Sequence, residues 1–497
     1  MNENRPLKVL FVSTEVNPYS KSGGLGDVAG SLPKALRDKG VDVRVVMPKY
    51  KSIPVHLMKD VRVKSKFTVR LSWRAQDAVV HALDAYGDGD SVYFVENDFY
   101  FGRDTYYGYG DDFERFAFFS KSVIEMLNHI DFQADVLHFN DWHTGLGPTY
   151  LRDIYRGLIY YADMKSLMTI HNLHYQGVFG RDILWHVGLN DDYFTGGDLE
   201  FFGNISYLKA GIVHADAVST VSATYAHEIQ TPGYGYGMDG LLHKRARELG
   251  QIYGITNGID IGENNPATDP RIYMNFDVDS LDKKRMNKYR LQEDLGISVG
   301  NIPVFGMVTR LVEQKGFDIL SVIMDEFLSK DVQLVVLGTG EGRYENMLKH
   351  YAWRYPGKIS ANLTFNAEMA QRIYAGADFF MMPSVYEPCG LGQLFAMRYG
   401  TIPIVRKTGG LADTVTHYNR DIKSGNGLVF EDYVASGLMW AINEAVSLYY
   451  SPDREQVIRN AMSGDYSWHQ AAGDYIEMYK KIRGGVKWQS DSLEWDY

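Results

Sequence analysis

Short apolar runs alternate with amphipathic segments through the first half of the chain. Residues 9–13 (VLFVS) and 41–47 (VDVRVVM) are β-branched runs typical of buried strands, and apolar residues between them recur from Leu25 to Leu36 at helical spacing. Residues 136–139, 167–170 and 217–221 continue the strand pattern. This alternation predicts a parallel sheet with helices on both faces. Residues 99–113, rich in Gly, Tyr and Asp, are predicted to form a loop.

The pattern starts again near Asn257-Gly258, after which a polar stretch covers residues 264–282. A second series follows, with strands predicted at 304–309, 332–337, 379–382 and 402–405 and helices from Gly316, from Glu341, at 368–375 and at 391–399. We therefore predict an α/β protein with two Rossmann-like domains, residues 1–257 and 258–467, facing across a cleft. Residues 468–497 are predicted to form a helix and tail that pack back on the first domain.

Size and composition narrow the functional class. A chain of 497 residues allows two to four domains, and its net charge of −11 argues against a nucleic-acid binder, which would show a basic face. The single cysteine, Cys389, excludes an internal disulfide and a multi-cysteine metal site. We see neither an apolar signal region nor the roughly 18 apolar residues of a membrane helix, so we expect a cytoplasmic protein without a membrane partner.

One peptide phrase occurs twice, as KSGGLGD from Lys21 to Asp27 and as KTGGLAD from Lys407 to Asp413. Each copy follows an apolar run and opens an amphipathic one. Glycines let the backbone approach a ligand, and a helix start offers unpaired N–H groups, so each copy is a candidate anion site. A dinucleotide fingerprint is disfavoured, because about ten residues separate the strand from Gly24 and no ribose-binding acid ends the second strand.

Charged residues follow two predicted strands of the second half. Arg310 and Lys315 lie in TRLVEQKG, and Glu387 opens EPCGL. Ligands bind at the carboxyl end of open α/β sheets, where Arg and Lys can hold phosphate oxygens. A surface salt bridge is the alternative for the two cations, and a helix cap is the alternative for Glu387. Cys389 is better explained as a small structural residue than as a nucleophile, because its motif has no histidine.

Polar and aromatic residues cluster after two strands of the first half, in NDWH (140–143) and in HNLHYQG (171–177). A zinc site built from His143, His171 and His174 is disfavoured because the spacing is not that of a helical H-x-x-x-H pair. The sequence Asp277-Val278-Asp279 resembles the Asp-x-Asp of metal-dependent sugar transferases, but it lies in the polar connector and is interpreted as solvated.

Taken together and in this order, the phrases from KSGGLGDV through NDWH, HNLHYQG, TRLVEQKG and EPCGL to KTGGL resemble bacterial glycogen synthases and plant starch synthases, the ADP-glucose type of glycosyltransferase family 5. The resemblance covers nearly the whole chain. It implies two Rossmann-like domains hinged over a cleft, called GT-B. It also implies transfer of glucose from ADP-glucose to the non-reducing 4-OH of an α-1,4-glucan, with retention at the anomeric carbon and without a metal or other cofactor.

The resemblance also implies roles for individual residues. His171, Arg310, Lys315 and Glu387 would form the catalytic group: His171 beside the glucosyl ring, Arg310 and Lys315 on the diphosphate, and Glu387 on the glucose hydroxyls. The implied substrate-binding residues are Glu15, Lys21, Gly24, Asp27, Tyr107, Asp141, Trp142, Asn172, Asn257, Phe365, Cys389, Gly390 and Leu391. Among these, Phe365 would stack on adenine, and Asp141 and Trp142 would face the acceptor.

Several alternatives remain open. UDP-glucose could replace ADP-glucose as donor, and a double displacement through a protein nucleophile competes with front-face displacement. A pyridoxal-phosphate phosphorylase and a catalytically inactive glucan-binding scaffold are rival functions. The expected partners are the nucleotide sugar and glycogen or starch, with no nucleic acid, and formation of a homo-oligomer is left open.

Overall fold

The computed structural model describes residues 5–484, and these residues divide into two compact units. The first unit contains the chain up to Asn257 together with the segment that starts at Trp468, and the second unit is Gly258–Ser467. The predicted tail beyond residue 484 lies outside the described residues. Each unit has its own sheet and its own apolar core.

The strands of the first unit run in chain order as follows: Lys8–Val12 (β1), Asp42–Pro48 (β2), Arg62–Arg70 (β3), Ala75–Leu83 (β4), Val92–Glu96 (β5), Val136–Asn140 (β6), Lys165–Ile170 (β7), Val178–Phe179 (β8), Glu200–Phe201 (β9), Asn204–Ser206 (β10), Ala217–Thr220 (β11) and Tyr253–Gly254 (β12). The strands of the second unit are Val304–Val308 (β13), Gln333–Leu337 (β14), Ile359–Asn362 (β15), Phe379–Met382 (β16), Ile402–Arg406 (β17) and Leu428–Phe430 (β18).

The α-helices are Gly24–Asp38 (α1), Asp98–Phe101 (α2), Asp112–Ile130 (α3), Leu146–Tyr150 (α4), Asp192–Thr195 (α5), Tyr207–His214 (α6), Ala223–Glu228 (α7), Asp239–Leu249 (α8), Leu281–Asp294 (α9), Phe317–Ser329 (α10), Gly342–Arg354 (α11), Ala367–Gly376 (α12), Gly392–Arg398 (α13), Gly409–Thr414 (α14), Ala435–Tyr449 (α15), Arg454–Met462 (α16) and His469–Gly484 (α17). None of the helices among residues 5–484 combines the length and the apolar character that crossing a bilayer requires.

The first unit has a nine-stranded main sheet with the order β12-β11-β7-β6-β1-β2-β5-β4-β3. Its central strands are parallel, as predicted, but β4 pairs antiparallel with both β3 and β5. The predicted parallel pairing therefore does not extend to this edge of the sheet. The cause is local: β3 and β4 are joined by a turn of four residues, and such a short connection permits only antiparallel neighbours.

Residues 99–113 are also more ordered than the predicted loop. The segment begins inside α2, whose start is capped by the Asn97 side chain accepting a hydrogen bond from the Tyr100 N–H, and it ends inside α3. Asn is a favoured N-cap because its side-chain oxygen satisfies a free backbone donor. The loop prediction therefore holds for the middle of the segment and is wrong at its two ends.

The C-terminal helix α17 packs on the first unit, against α1 and β6. Its Tyr479 hydroxyl lies 2.7 Å from Nδ1 of His138 on β6, and the other ring nitrogen of His138 lies 2.6 Å from Oγ1 of Thr169 on β7. All three residues are buried. Because a buried polar group is costly unless it is paired, these contacts fix α17 on the sheet.

The second unit has a six-stranded parallel sheet with the order β15-β14-β13-β16-β17-β18. Helix α10 packs on α15, and α12 packs on α9 and β13. A buried ion cluster ties α9 and α16 to the start of β16: the Asp378 carboxylate lies 2.7 Å from both Lys288 Nζ and Arg454 Nη2. Because each charge has a partner of opposite sign, these groups can be buried inside the unit.

We predict that His138→Gln reduces the dependence of stability on pH. Burial holds the pKa of His138 well below its usual range, whereas the unfolded chain binds a proton near pH 6.5. The unfolded state therefore binds more protons below pH 6.5, so the buried histidine lowers stability as the pH falls, by up to about 1.4 kcal/mol per pH unit. Urea unfolding between pH 5 and pH 8 should show a shallower slope for the variant.

His243→Gln is the matched control, because His243 is exposed on α8. It should keep the wild-type slope. An unchanged slope in His138→Gln would mean that the His138 ring is not held neutral by burial. At pH 8 the His138 variant should be less stable than wild type by about 1–3 kcal/mol, because it perturbs two buried hydrogen bonds.

Candidate active site

Among the parallel strands of each main sheet, the strand order reverses at one position. In the first unit, β1 lies between β6 and β2, and in the second unit β13 lies between β14 and β16. Parallel strands present their carboxyl ends at one edge of the sheet, and ligands of open α/β folds bind where the strand order reverses. Most of the predicted site residues follow β1, β6 and β7 in the first unit and β13 and β16 in the second; the exceptions are Tyr107, Asn257 and Phe365.

Glu15, three residues after β1, organises the first glycine loop. Its carboxylate accepts hydrogen bonds from the backbone N–H groups of Ser22 and Gly23 and from the Ser22 hydroxyl, the last at 2.6 Å. The Tyr107 hydroxyl donates a fourth hydrogen bond at 2.8 Å. Because its oxygens already accept four bonds within this unit, the buried Glu15 acts on the conformation of the loop.

The loop that Glu15 holds leads directly into α1. Gly23 occupies the N-cap position in extended backbone, and α1 begins at the exposed Gly24. Lys21 Nζ lies 2.7 Å from the Asp27 carboxylate in the first turn. The first N–H groups of a helix lack intrahelical partners and carry the positive end of its dipole. The anion site expected at this helix start stays a prediction.

Asp141 and His171 meet at the ends of β6 and β7. The Asp141 carboxylate accepts a hydrogen bond from the His171 N–H at 2.8 Å, and Asp141 itself has a left-handed backbone with φ of 56°. A non-glycine residue in that region is uncommon and carries strain that the surroundings must offset. Burial raises the pKa of Asp141 to about 7 and lowers the pKa of His171 to about 3.

Trp142 joins the two polar motifs of the first unit. Its ring stacks on His143 with centroids 4.0 Å apart, and His143 lies 4.3 Å from the Tyr107 ring. A Cβ added at Gly177 would lie 2.3 Å from the indole, so a larger residue cannot occupy that position without displacing the ring. The motif 171–177 therefore ends in glycine because Trp142 packs against its backbone.

Metal alternatives gain no support from the side-chain arrangement. Among residues 5–484, no group of three or more His, Cys, Asp or Glu side chains is arranged to hold a metal ion. His143, His171 and His174 accordingly do not form a three-histidine site. Asp277 accepts a hydrogen bond from the Ser280 hydroxyl at 2.7 Å, as expected for a residue of a solvated turn.

In the second unit, Lys315 and Glu387 form an ion pair. Lys315 Nζ lies 2.6 Å from Glu387 Oε2, and the Ser384 hydroxyl donates to the same oxygen at 3.0 Å. The side chains are only 16% and 8% exposed, so this is neither a surface bridge nor a helix cap. The capping alternative for Glu387 is thus wrong, because its carboxylate is bound to Lys315, and α13 begins only at Gly392.

The second glycine phrase contacts the Glu387 turn. Gly409 has φ of 44°, and a Cβ at this position would lie 2.0 Å from the Glu387 carbonyl oxygen. The Gly410 N–H donates to the carbonyls of Glu387 and Pro388. The helix that follows, α14, has six residues, so this copy opens a much shorter helix than the first copy.

The remaining predicted residues have mixed surroundings. Arg310 is exposed after β13, and Phe365 is 85% exposed after β15. Asn172 accepts a hydrogen bond from the His174 N–H, and Asn257, the last residue before the second unit begins, is buried. Cys389 is buried in the turn that continues through Gly390 and Leu391. The roles assigned to all of these residues stay predictions.

Two residues that contact the predicted site residues were not themselves predicted from the sequence. Ser384 supports Glu387, and Asn140 contacts the His171 ring, with Asn140 Oδ1 2.8 Å from His171 Nε2. Asn140 belongs to the NDWH motif, so the sequence already placed it near the site. Its contact with the His171 ring could not be predicted, because it depends on the neighbouring strand β7. Ser384 lies three residues before Glu387, a spacing that has no regular meaning outside a helix.

Comparison with known proteins assigns the family. Residues 8–244 match the starch synthase catalytic domain family, and residues 296–463 match the glycosyl transferases group 1 family. The glycogen synthase of Clostridium novyi (strain NT) is 48% identical over 96% of this chain and 99% of its own length. That of Clostridioides difficile (strain 630) is 47% identical over 96% and 100%. The chain belongs to the glycogen and starch synthase family.

Solved structures agree. The catalytic domain of starch synthase IV from Arabidopsis thaliana, bound to ADP and acarbose, has a TM-score of 0.89 and 30% identity, covering 97% of this chain and all of that one. Sucrose-phosphate synthase from Thermosynechococcus elongatus has a TM-score of 0.60 at 18% identity, with the same coverage, which shows the fold alone. The predicted family, the two-domain GT-B fold and the glycogen or starch synthase activity are confirmed.

We predict that Glu15→Gln loosens the first glycine loop. The amide keeps one oxygen for the Ser22 and Gly23 N–H groups, but its N–H₂ group replaces the oxygen that accepts from the Ser22 and Tyr107 hydroxyls, and the charge that strengthens all four bonds is lost. Hydrogen exchange at Ser22 and Gly23 should accelerate, and the KM for the nucleotide sugar should rise about tenfold, equivalent to about 1.4 kcal/mol. Tyr107→Phe removes one of the four donors and should have a smaller effect. Equal exchange rates in all three proteins would contradict this role of Glu15.

Proposed function

We propose that this enzyme transfers glucose from ADP-glucose to the non-reducing 4-OH of an α-1,4-glucan, with retention of configuration and without a metal ion. The observation that carries the proposal is the buried Lys315–Glu387 pair at the strand-order reversal of the second unit. It supplies a fixed cation and a fixed carboxylate where open α/β sheets bind their ligands.

The cation has capacity left for an anionic leaving group. An ammonium has three donors, and within residues 5–484 the structure shows Lys315 using one of them, on Glu387. We assign Lys315 and Arg310 to the diphosphate, whose negative charge grows as the glycosidic bond to phosphate breaks. Pre-positioned cations need no reorganisation during that step, which is the source of most electrostatic catalysis. Glu387 then has two roles, holding Lys315 and accepting hydrogen bonds from glucose hydroxyls.

The proposed reaction is a front-face displacement. The bond from the anomeric carbon to the phosphate oxygen breaks, positive charge develops on the glucosyl ring, and the departing phosphate oxygen takes the proton of the acceptor hydroxyl that attacks the same face. His171 is neutral at physiological pH, because burial lowers its pKa to about 3. A neutral ring beside the anomeric carbon does not repel the developing positive charge. A glucosyl-enzyme adduct trapped with a fluorinated donor would favour double displacement instead.

The choice of nucleotide rests on the family. The Arabidopsis thaliana starch synthase IV structure contains ADP and acarbose, which supports ADP-glucose as donor and a glucan as acceptor here. We assign Phe365 to adenine stacking, Asn257 to the nucleotide, and Asp141 and Trp142 to the acceptor. The cytoplasm is the proposed location. Kinetics with ADP-glucose and UDP-glucose on a glycogen acceptor would decide the donor.

We predict that Lys315→Met lowers turnover at least 100-fold and leaves glycogen binding unchanged, because the leaving diphosphate loses a cation worth about 3 kcal/mol or more. The single variant also leaves Glu387 without its cation. The double variant Lys315→Met/Glu387→Gln removes that unpaired charge and should regain stability, measured as Tm, without regaining turnover. Lys349→Ala, exposed on α11, is the control and should behave as wild type. Normal turnover in Lys315→Met would refute the assignment.

We predict that the rate of glucosyl transfer survives metal removal. The proposed charge on the leaving group is balanced by protein cations, so incubation with EDTA should leave the initial rate unchanged. Added Mg²⁺ should then raise it less than twofold. Loss of activity in EDTA and recovery with Mg²⁺ would show that a divalent ion takes the role assigned here to Lys315 and Arg310.

A further inference from the structure

The side chain of Asn140 lies between three groups in the interior of the first unit. Its amide nitrogen donates to the Val12 carbonyl at 3.0 Å and to the His138 carbonyl at 3.2 Å. Its amide oxygen lies 2.8 Å from Nε2 of His171. Asn140 is fully buried, so water does not compete for these positions.

These contacts determine the orientation of the amide. A carbonyl oxygen can only accept, so the group facing Val12 and His138 must be the N–H₂ group. Rotating the amide by half a turn would place three oxygens together and would lose both bonds. The Oδ1 atom therefore faces His171, and because Oδ1 can only accept, His171 must donate through Nε2.

From this geometry we infer that Asn140 is a positioning residue that sets the tautomer of His171, with the proton on Nε2 and the lone pair on Nδ1. The inference deepens the proposed function and rests on it, since it assigns the state in which His171 meets the glucosyl ring. Within residues 5–484, the structure shows no hydrogen bond to Nδ1 of His171, so that nitrogen keeps its acceptor capacity for a sugar hydroxyl.

An amide suits this position because it orients the ring without charging it. A carboxylate in the same place would stabilise an imidazolium, which would repel the positive charge developing on the glucosyl ring. The neighbouring titratable groups of the unit are Asp141, which accepts from the His171 N–H, His138 on β6, Glu15 in the loop after β1, and Tyr225 on α7. Burial, rather than any of these charges, lowers the pKa of His171 to about 3.

Adjacent residues thus hold His171 at two points. Asn140 binds its ring and Asp141 binds its backbone N–H, both from the end of β6. Asp141, directly after Asn140, has a positive φ of 56°, and both side chains contact His171, the residue that follows β7. The sequence Asn140-Asp141 is therefore one device for placing a neutral imidazole.

The first test reads the tautomer directly. In the full chain labelled with ¹⁵N-histidine, the His171 signals are identified by their loss in His171→Ala. We expect one tautomer, protonated at Nε2 and unprotonated at Nδ1, from pH 5.5 to pH 8. A ring protonated at Nδ1, a mixture of tautomers or an imidazolium would overturn the inference. This readout does not depend on activity.

The second test is Asn140→Asp, which keeps an acceptor beside Nε2 but adds a charge. We expect a loss of kcat/KM relative to wild type that is larger at pH 5.5 than at pH 8.5, because the added carboxylate raises the pKa of His171 from about 3. Thr144→Val is the control, because Thr144 is buried in the same segment and its hydroxyl donates to the Asn140 carbonyl at 3.0 Å. It should keep the wild-type profile.

The outcomes separate the two proposals. If Asn140→Asp has the same profile as Thr144→Val, the amide serves packing and the positioning role is wrong. If the wild-type chain shows the expected tautomer but transfers no glucose from either nucleotide sugar, the proposed function is wrong. The inference that Asn140 sets the tautomer of His171 is then still supported. If Asn140→Asp does not fold, the tautomer of His171 measured in the wild-type chain still tests the positioning role of Asn140.

Discussion

The structure depends on how buried polar groups are satisfied at the carboxyl ends of parallel strands. Strands of this kind are almost wholly apolar, and a polar side chain at their ends must find a partner nearby or lose the free energy of hydration. In the first unit, Glu15, Asn140 and Asp141 each meet this requirement by binding backbone groups of another segment. The same bonds that satisfy these residues also shape the glycine loop and place His171.

In the second unit, a buried polar group at a strand end is satisfied by a residue of opposite charge. Glu387 is almost fully buried and is paired with Lys315 and the Ser384 hydroxyl, whereas its backbone carbonyl accepts from Gly410. A buried pair of this kind is costly to assemble, and its desolvation can exceed the gain from attraction. Its presence at the strand-order reversal is better explained by the chemistry of an anionic donor than by stability.

Much of this organisation could be predicted from the pattern of apolar and polar residues along the chain. The alternation of apolar runs and amphipathic segments predicted the central strands of both sheets, because a strand buried on both faces needs a continuous apolar run. The antiparallel strands β3 and β4 were missed because half of their residues face solvent and the runs are mixed. The ends of residues 99–113 were missed because α2 is one turn long and depends on the Asn97 cap.

By itself, the sequence determined the family, the two α/β units and the strand ends at which the polar and charged site residues lie. Local propensity, periodicity and short motifs carry that information. Only the tertiary structure decided how these residues are partnered. Glu15 binds its own glycine loop, Glu387 binds Lys315 seventy-two positions away, and Asn140 orients His171 across a strand boundary. These contacts join residues from seven to seventy-two positions apart in the chain, and their geometry exists only after the chain has folded and the sheet has brought the strand ends together.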